Sequence, residues 1–120
     1  MLPKRPRLQS NAYVGVQRYF LTFCTADRRK WFVDADHVDP VREQILHVTA
    51  AFDMEIIAHC FMPDHVHLLV EGQTESADAC RFVHQAKQRS GFAFARAFRA
   101  RLWQPSYYDE LFATMTDRWV

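Results

Sequence analysis

Glycine is nearly missing from this sequence, with three in 120 residues, and that excludes a collagen-like or linker-rich chain. Cysteine is as scarce. Cys24, Cys60 and Cys80 are odd in number, far apart and never in a CxxC pair, so neither a disulfide framework nor a zinc ribbon is indicated, and buried reduced thiols are expected. No apolar run approaches the roughly 18 residues of a membrane-spanning helix. The opening "MLPKRPRLQS" carries charge without the apolar core of a signal peptide. The expectation is a soluble, cytoplasmic protein with no membrane partner. Acid is missing from one long stretch: none occurs between Ala79 and Tyr108, where Arg81, Lys87, Arg89, Arg96, Arg99 and Arg101 are all basic. A net charge of +1 therefore conceals a strongly cationic segment.

What is present reads as one globular domain spanning 1–120, since 49% of the residues are apolar and the chain is too short for a second core. A basic arm over 1–12, with Lys4, Arg5 and Arg7, precedes "RYFLTFCT", whose alternation and aromatic content predict a first strand near Tyr19 to Thr25. Asp39-Pro40 supplies an N-cap and a first-turn proline, and Val41, Ile45, Val48 and Phe52 recur at helical spacing. "MEIIAHCF" and "HVHLLVEG" read as strands joined by the tight Met62-Pro63-Asp64 break, hence as antiparallel neighbours. From Ser76 to Arg99 a long basic helix is expected, with Phe82, Val83, Ala86, Ser90, Ala93 and Ala97 on one side and Gly91 as a weak point or bend. "LWQPSYYDELF" then reads as a short terminal strand interrupted by Pro105. Strand, helix, strand, strand, helix, strand predicts an α+β, ferredoxin-like sandwich with an antiparallel sheet and helices on one face.

One strand carries chemistry. In "DHVHLLV", His65 and His67 flank a single valine, and on a strand such residues share a face about 6–7 Å apart. Two neutral imidazoles so placed can hold one metal ion, or form a hydrogen-bonded pair at a sheet face. A third ligand is needed for a tight site. Cys80 and His84, one turn apart on the next helix, allow a mixed zinc site to be imagined.

Four separated stretches, "YFLTFCTADRRKWF", "HCFMPDHVHLLVEG", "HQAKQRSGF" and "LWQPSYYDE", occur in the order and approximate spacing of the single-tyrosine HUH transposases. The whole resembles their REP-associated branch over Tyr19 to Glu110. The resemblance implies a ferredoxin-like catalytic domain, commonly a homodimer, that recognises single-stranded DNA hairpins. It implies that His65 and His67 hold Mg²⁺ or Mn²⁺ against the scissile phosphate. A tyrosine then attacks the phosphorus, leaving a 5′-phosphotyrosine link and a free 3′-hydroxyl. In the family that tyrosine lies on a helix after the "WQ…YYD" segment, with an amide or related ligand one turn later. The closing "LFATMTDRWV" contains no tyrosine, so the expectation is a chain truncated before its catalytic helix, with Tyr107 and Tyr108 as the remaining candidate nucleophiles.

For DNA contact the candidates are Arg28 and Arg29 in the loop after the first strand, and Arg81, Lys87 and Arg89 on the basic helix, against the alternative of an ordinary solvated face. Trp103 is expected in the core. Three functions compete: a metal-dependent transposase that cleaves and rejoins hairpin DNA, an inert DNA-binding or dimerisation module, and a small metal-dependent hydrolase unrelated to DNA.

Overall fold

A computed structural model describes residues 10–105 and 109–113. The first nine residues of the basic arm, Ser106, Tyr107, Tyr108 and the last seven residues lie outside the described residues. In chain order the main elements are β1 (Arg18–Cys24), α1 (Ala35–Ala51), β2 (Met54–Met62), β3 (His65–Gly72), α2 (Ala79–Phe98) and β4 (Glu110–Ala113). The strands form one sheet in the order β2-β3-β1-β4, antiparallel at every junction. This is the ferredoxin-like α+β sandwich expected from the order of elements.

The sheet has one packed face because its strands alternate. Tyr19, Leu21 and Phe23 of β1 and Val66, Leu68 and Val70 of β3 are buried, and they pack with Val41, Ile45 and Val48 of α1 and Phe82, Val83, Ala86 and Phe94 of α2. Each large side chain so buried contributes on the order of 1.5–3 kcal/mol. An extra residue, Ile57, interrupts the β2–β3 register between Ile56 and Ala58. Gly72 ends β3 where the Gly15 carbonyl approaches so closely that no side chain could fit.

Several sequence expectations are corrected. α1 starts at Ala35, capped by Asp34, whose carboxylate accepts the His37 amide at 3.1 Å; Asp39 instead pairs with Arg42 at 2.6 Å, and Pro40 lies inside the helix. The buried stripe of α2 turns to Phe94 rather than Ala93 and Ala97, which remain half-buried and exposed. Gly91 does not break α2; it makes room for Trp103, whose Cδ1 would lie 3.4 Å from an added Cβ. The thiols are not a buried set: Cys60 is exposed and the other two half-buried, because Cys24 and Cys60 point to the open face of the sheet. The terminal strand comes later than expected, at Glu110, and Trp103 makes only an isolated bridge to Thr25. Trp103 is core, as expected, edge-on to Phe23 at 5.6 Å with its Nε1 donating to Ser90 Oγ at 3.0 Å.

Lys87 is the largest correction. It does not stand on the solvated basic face but is buried, its Nζ donating to Asp109 Oδ2 at 2.7 Å and to the Gln104 carbonyl at 2.9 Å. Burial pushes its pKa down and the Asp109 carboxylate opposes that shift. The ion pair fastens α2 to the chain entering β4, so its charge is not available to a phosphate. Removing one partner of a buried pair leaves the other uncompensated, at about 3–5 kcal/mol. Lys87→Ala should therefore lower unfolding stability by that amount in urea titration, whereas exposed Arg89→Ala should change it by less than about 0.5 kcal/mol.

Candidate functional site

With Val66, Leu68 and Val70 turned to the core, β3 must present His65 and His67 on the opposite, helix-free face. The rings meet edge to face, 4.6 Å between centroids, and their Nε2 atoms are 3.0 Å apart. Both outer nitrogens are held. His65 Nδ1 lies 2.7 Å from Asp64 Oδ1, and His67 Nδ1 lies 3.1 Å from Oγ1 of Thr22, its register partner on β1. An ionised carboxylate only accepts, so His65 carries its proton on Nδ1 and turns the Nε2 lone pair toward His67. A second lone pair there would repel it; a proton or a cation must lie between.

Asp64 is itself clamped. Arg28 donates through Nε to Asp64 Oδ2 at 3.1 Å, and its terminal nitrogen lies equally close. The hydrogen bond to His65, reinforced by the one from Arg28, holds the Asp64 pKa down to about 2. The turn is fixed from beneath by buried Thr25, whose amide donates to the Asp64 carbonyl at 3.0 Å. A continuous chain therefore runs from Arg28 through Asp64, His65 and His67 to Thr22.

The 3.0 Å separation is that of a hydrogen bond between the two rings; it is also the spacing of ligands at adjacent corners of an octahedral ion with bonds of about 2.1 Å, where a tetrahedral zinc would need about 3.4 Å. Among the described residues no group of three or more His, Cys, Asp or Glu could hold a metal. The imagined zinc site with Cys80 and His84 does not form, because α2 packs on the other face of the sheet.

The structure divides the basic residues that the sequence grouped. Arg28 joins the histidines through Asp64, and Arg29 follows it, its guanidinium 4.5 Å from the Trp31 ring. Arg81 and Arg89 stand exposed on α2, behind the sheet, with Arg81 over the Phe52 ring at 5.6 Å. Asp64 and Thr22 were missed as site residues. The aspartate immediately before "HVH" was a readable signal, but Thr22 becomes a partner only through strand register.

A family model described as "Transposase IS200 like" matches residues 14–117. The chain belongs to that family. Among curated proteins it is similar to the ISDra2 transposase TnpA of Deinococcus radiodurans, 24% identical over 110 residues that cover 90% of this chain and 78% of that protein. Among solved structures, a REP-associated tyrosine transposase bound to a REP hairpin matches with a TM-score of 0.68 and 19% identity, covering 98% of this chain. This chain spans 66% of that structure's length. A candidate transposase from Deinococcus radiodurans R1 matches with a TM-score of 0.71 and 24% identity, covering 98% of this chain and 90% of that one.

In this IS200-like chain the Asp64 carboxylate should titrate near pH 2 by carbon-13 NMR, below the ordinary value of about 3.9. Because the folded pKa is depressed, the anchor's stabilisation is complete above the ordinary value and fades only as pH falls toward 2. An ordinary midpoint would show that Asp64 does not hold His65.

Proposed function

We propose that this chain acts on single-stranded hairpin DNA as an IS200-like, REP-associated type transposase, cleaving and rejoining the strand with Mg²⁺ or Mn²⁺ held by His65 and His67. The observation that carries this is the 3.0 Å approach of the two Nε2 atoms, each ring oriented from behind, by Asp64 and Thr22. Bound there, the ion would neutralise charge on a phosphoryl oxygen. The chain's own groups supply the rest. Asp64 keeps His65 in the tautomer that offers Nε2, and Arg28 neutralises Asp64 and draws the phosphate backbone toward the sheet. Arg29 adds charge beside it. Phe20, 46% exposed on the same face as Thr22, offers a ring on which an unpaired base can stack. The REP hairpin bound by a structural relative supports the same class of DNA for this chain. We expect a homodimer, as the family resemblance implies, and place the protein in the cytoplasm; no helix among the described residues is long and apolar enough to cross a membrane.

Two of the four tyrosines of this sequence are too buried to serve as the nucleophile. Tyr13 and Tyr19 are buried, and the Tyr19 hydroxyl donates to the Gly15 carbonyl at 2.9 Å. Neither can attack a phosphate at the histidines, which leaves Tyr107 and Tyr108 as this chain's candidates. That burial equally favours a second reading, a module that binds DNA and metal without cutting.

Mn²⁺ titration calorimetry and labelled hairpin DNA on paired native and denaturing gels test both. The wild type should bind Mn²⁺ and shift the hairpin, and His65→Ala with His67→Ala should abolish metal binding while the fold persists. Undiminished metal affinity in that variant would sink the site. A Mn²⁺-dependent band surviving denaturation identifies the transposase; a native shift without it identifies the binding module.

A further inference from the structure

Beside the histidines, between the end of β1 and the chain leaving α2, lies a pocket of about 380 Å³ lined by Asp27, Arg28, Arg29, Arg101, Gln104 and Pro105. We propose that it is a second phosphate subsite, which holds a neighbouring phosphodiester of the same DNA strand through Arg29 and Arg101. The proposal rests on the function argued above and adds a residue, Arg101, and a place that the histidine site does not include.

Charge comes first. Arg28, Arg29 and Arg101 line the pocket, with Asp27 as the one acid among its lining residues; Arg28 is shared with Asp64 and the Arg29 guanidinium lies 4.5 Å from the Trp31 ring. Arg101 is exposed, and its Nε donates to the Trp103 carbonyl at 3.0 Å. That bond fixes the guanidinium and leaves its terminal N–H groups for a tetrahedral anion, which a planar fork grips better than a lone ammonium.

The pocket is also built. Thr25, fully buried, brings Oγ1 to 2.7 Å from the Arg29 carbonyl and 3.1 Å from that of Asp64. The Ala26 amide donates to Leu102 at 2.8 Å, and the Gln104 amide donates to Cys24 at 3.1 Å. The loop after β1, the β2–β3 turn and the segment after α2 are thus stitched into one wall. Within it Asp27 and Arg28 both adopt left-handed backbone, φ 56° and 52°. Two successive non-glycine residues in that region are unfavourable and persist only where surrounding bonds over-determine them. Both residues line the pocket, and Arg28 also pairs with Asp64.

The pocket is also connected to the histidines. Arg28 lines the pocket and grips Asp64 at 3.1 Å, and Asp64 grips His65 at 2.7 Å. A strand with one phosphate at the histidines therefore passes directly beside the pocket.

The test is the salt dependence of single-stranded hairpin binding, read by fluorescence anisotropy, with Mn²⁺ affinity measured by calorimetry on the same proteins. Each phosphate neutralised contributes about 0.7 to the slope of log affinity against log salt. Arg29→Gln with Arg101→Gln should reduce the slope by about that amount and leave Mn²⁺ affinity at the wild-type value. Arg29→Lys with Arg101→Lys should restore the slope, because charge is kept. An unchanged slope in the glutamine variant, with wild-type DNA and Mn²⁺ binding intact, overturns the subsite and spares the histidine site. A glutamine variant that also loses Mn²⁺ affinity makes the effect structural and overturns the subsite too. A wild-type protein that binds no single-stranded DNA overturns the function and the subsite together.

Discussion

A β-strand must turn successive side chains to opposite faces, and β3 meets two demands under that constraint. Its even-numbered positions, Val66, Leu68 and Val70, build the packed face beneath the helices. Its odd ones begin with His65 and His67 on the open face. The histidines can therefore be close, parallel in origin and solvent-accessible without any irregular backbone, because the core side of the strand fixes their direction. Sheet order then decides their neighbours. With β3 between β2 and β1, His67 has Cys60 on one side and Thr22 on the other.

What the strand alone cannot do is choose the tautomer. That choice falls to Asp64, the last residue of the turn, whose carboxylate is shared between His65 and Arg28. Two cationic or proton-bearing partners keep it ionised well below ordinary carboxylate conditions, so the anchor does not switch in the range where imidazole charge changes. Thr25 makes the arrangement rigid from within by bonding both the turn and the loop that carries Arg28 and Arg29. A buried hydroxyl thus coordinates two surface loops that approach the site from different strands.

Much of this was legible in the sequence because it follows short-range periodicity. The alternation of "HVHLLVEG" gave the strand bounds and the shared face of the histidines, and element order gave the fold. The failures came where long-range contacts outweigh local pattern. Asp39-Pro40 looked like a helix start, but the Asp34 carboxylate capped the helix a turn and more earlier. Lys87 looked like one more cation on a basic helix. Only the arrival of Asp109, 22 residues on, makes it internal. Arg101 sat in the same acid-free stretch as Arg89, yet sequence spacing does not reveal that it meets the loop after β1. Such pairings belong to tertiary structure, not to helical or strand period.

The extra residue in β2 has a further meaning. Before Ile57, Met54 and Ile56 lean toward the core; after it, Phe61 does, against Phe32 at 5.1 Å, while Cys60 and Met62 join the histidine face. One inserted residue has reversed the strand's parity halfway along. Were Ile57 instead drawn into a regular ladder, the far half of the strand would slip by one position, turning Phe61 out to solvent and Cys60 and Met62 inward. The edge strand thus carries two addresses, one for each half, and Ile57 is the point where the mail is redirected.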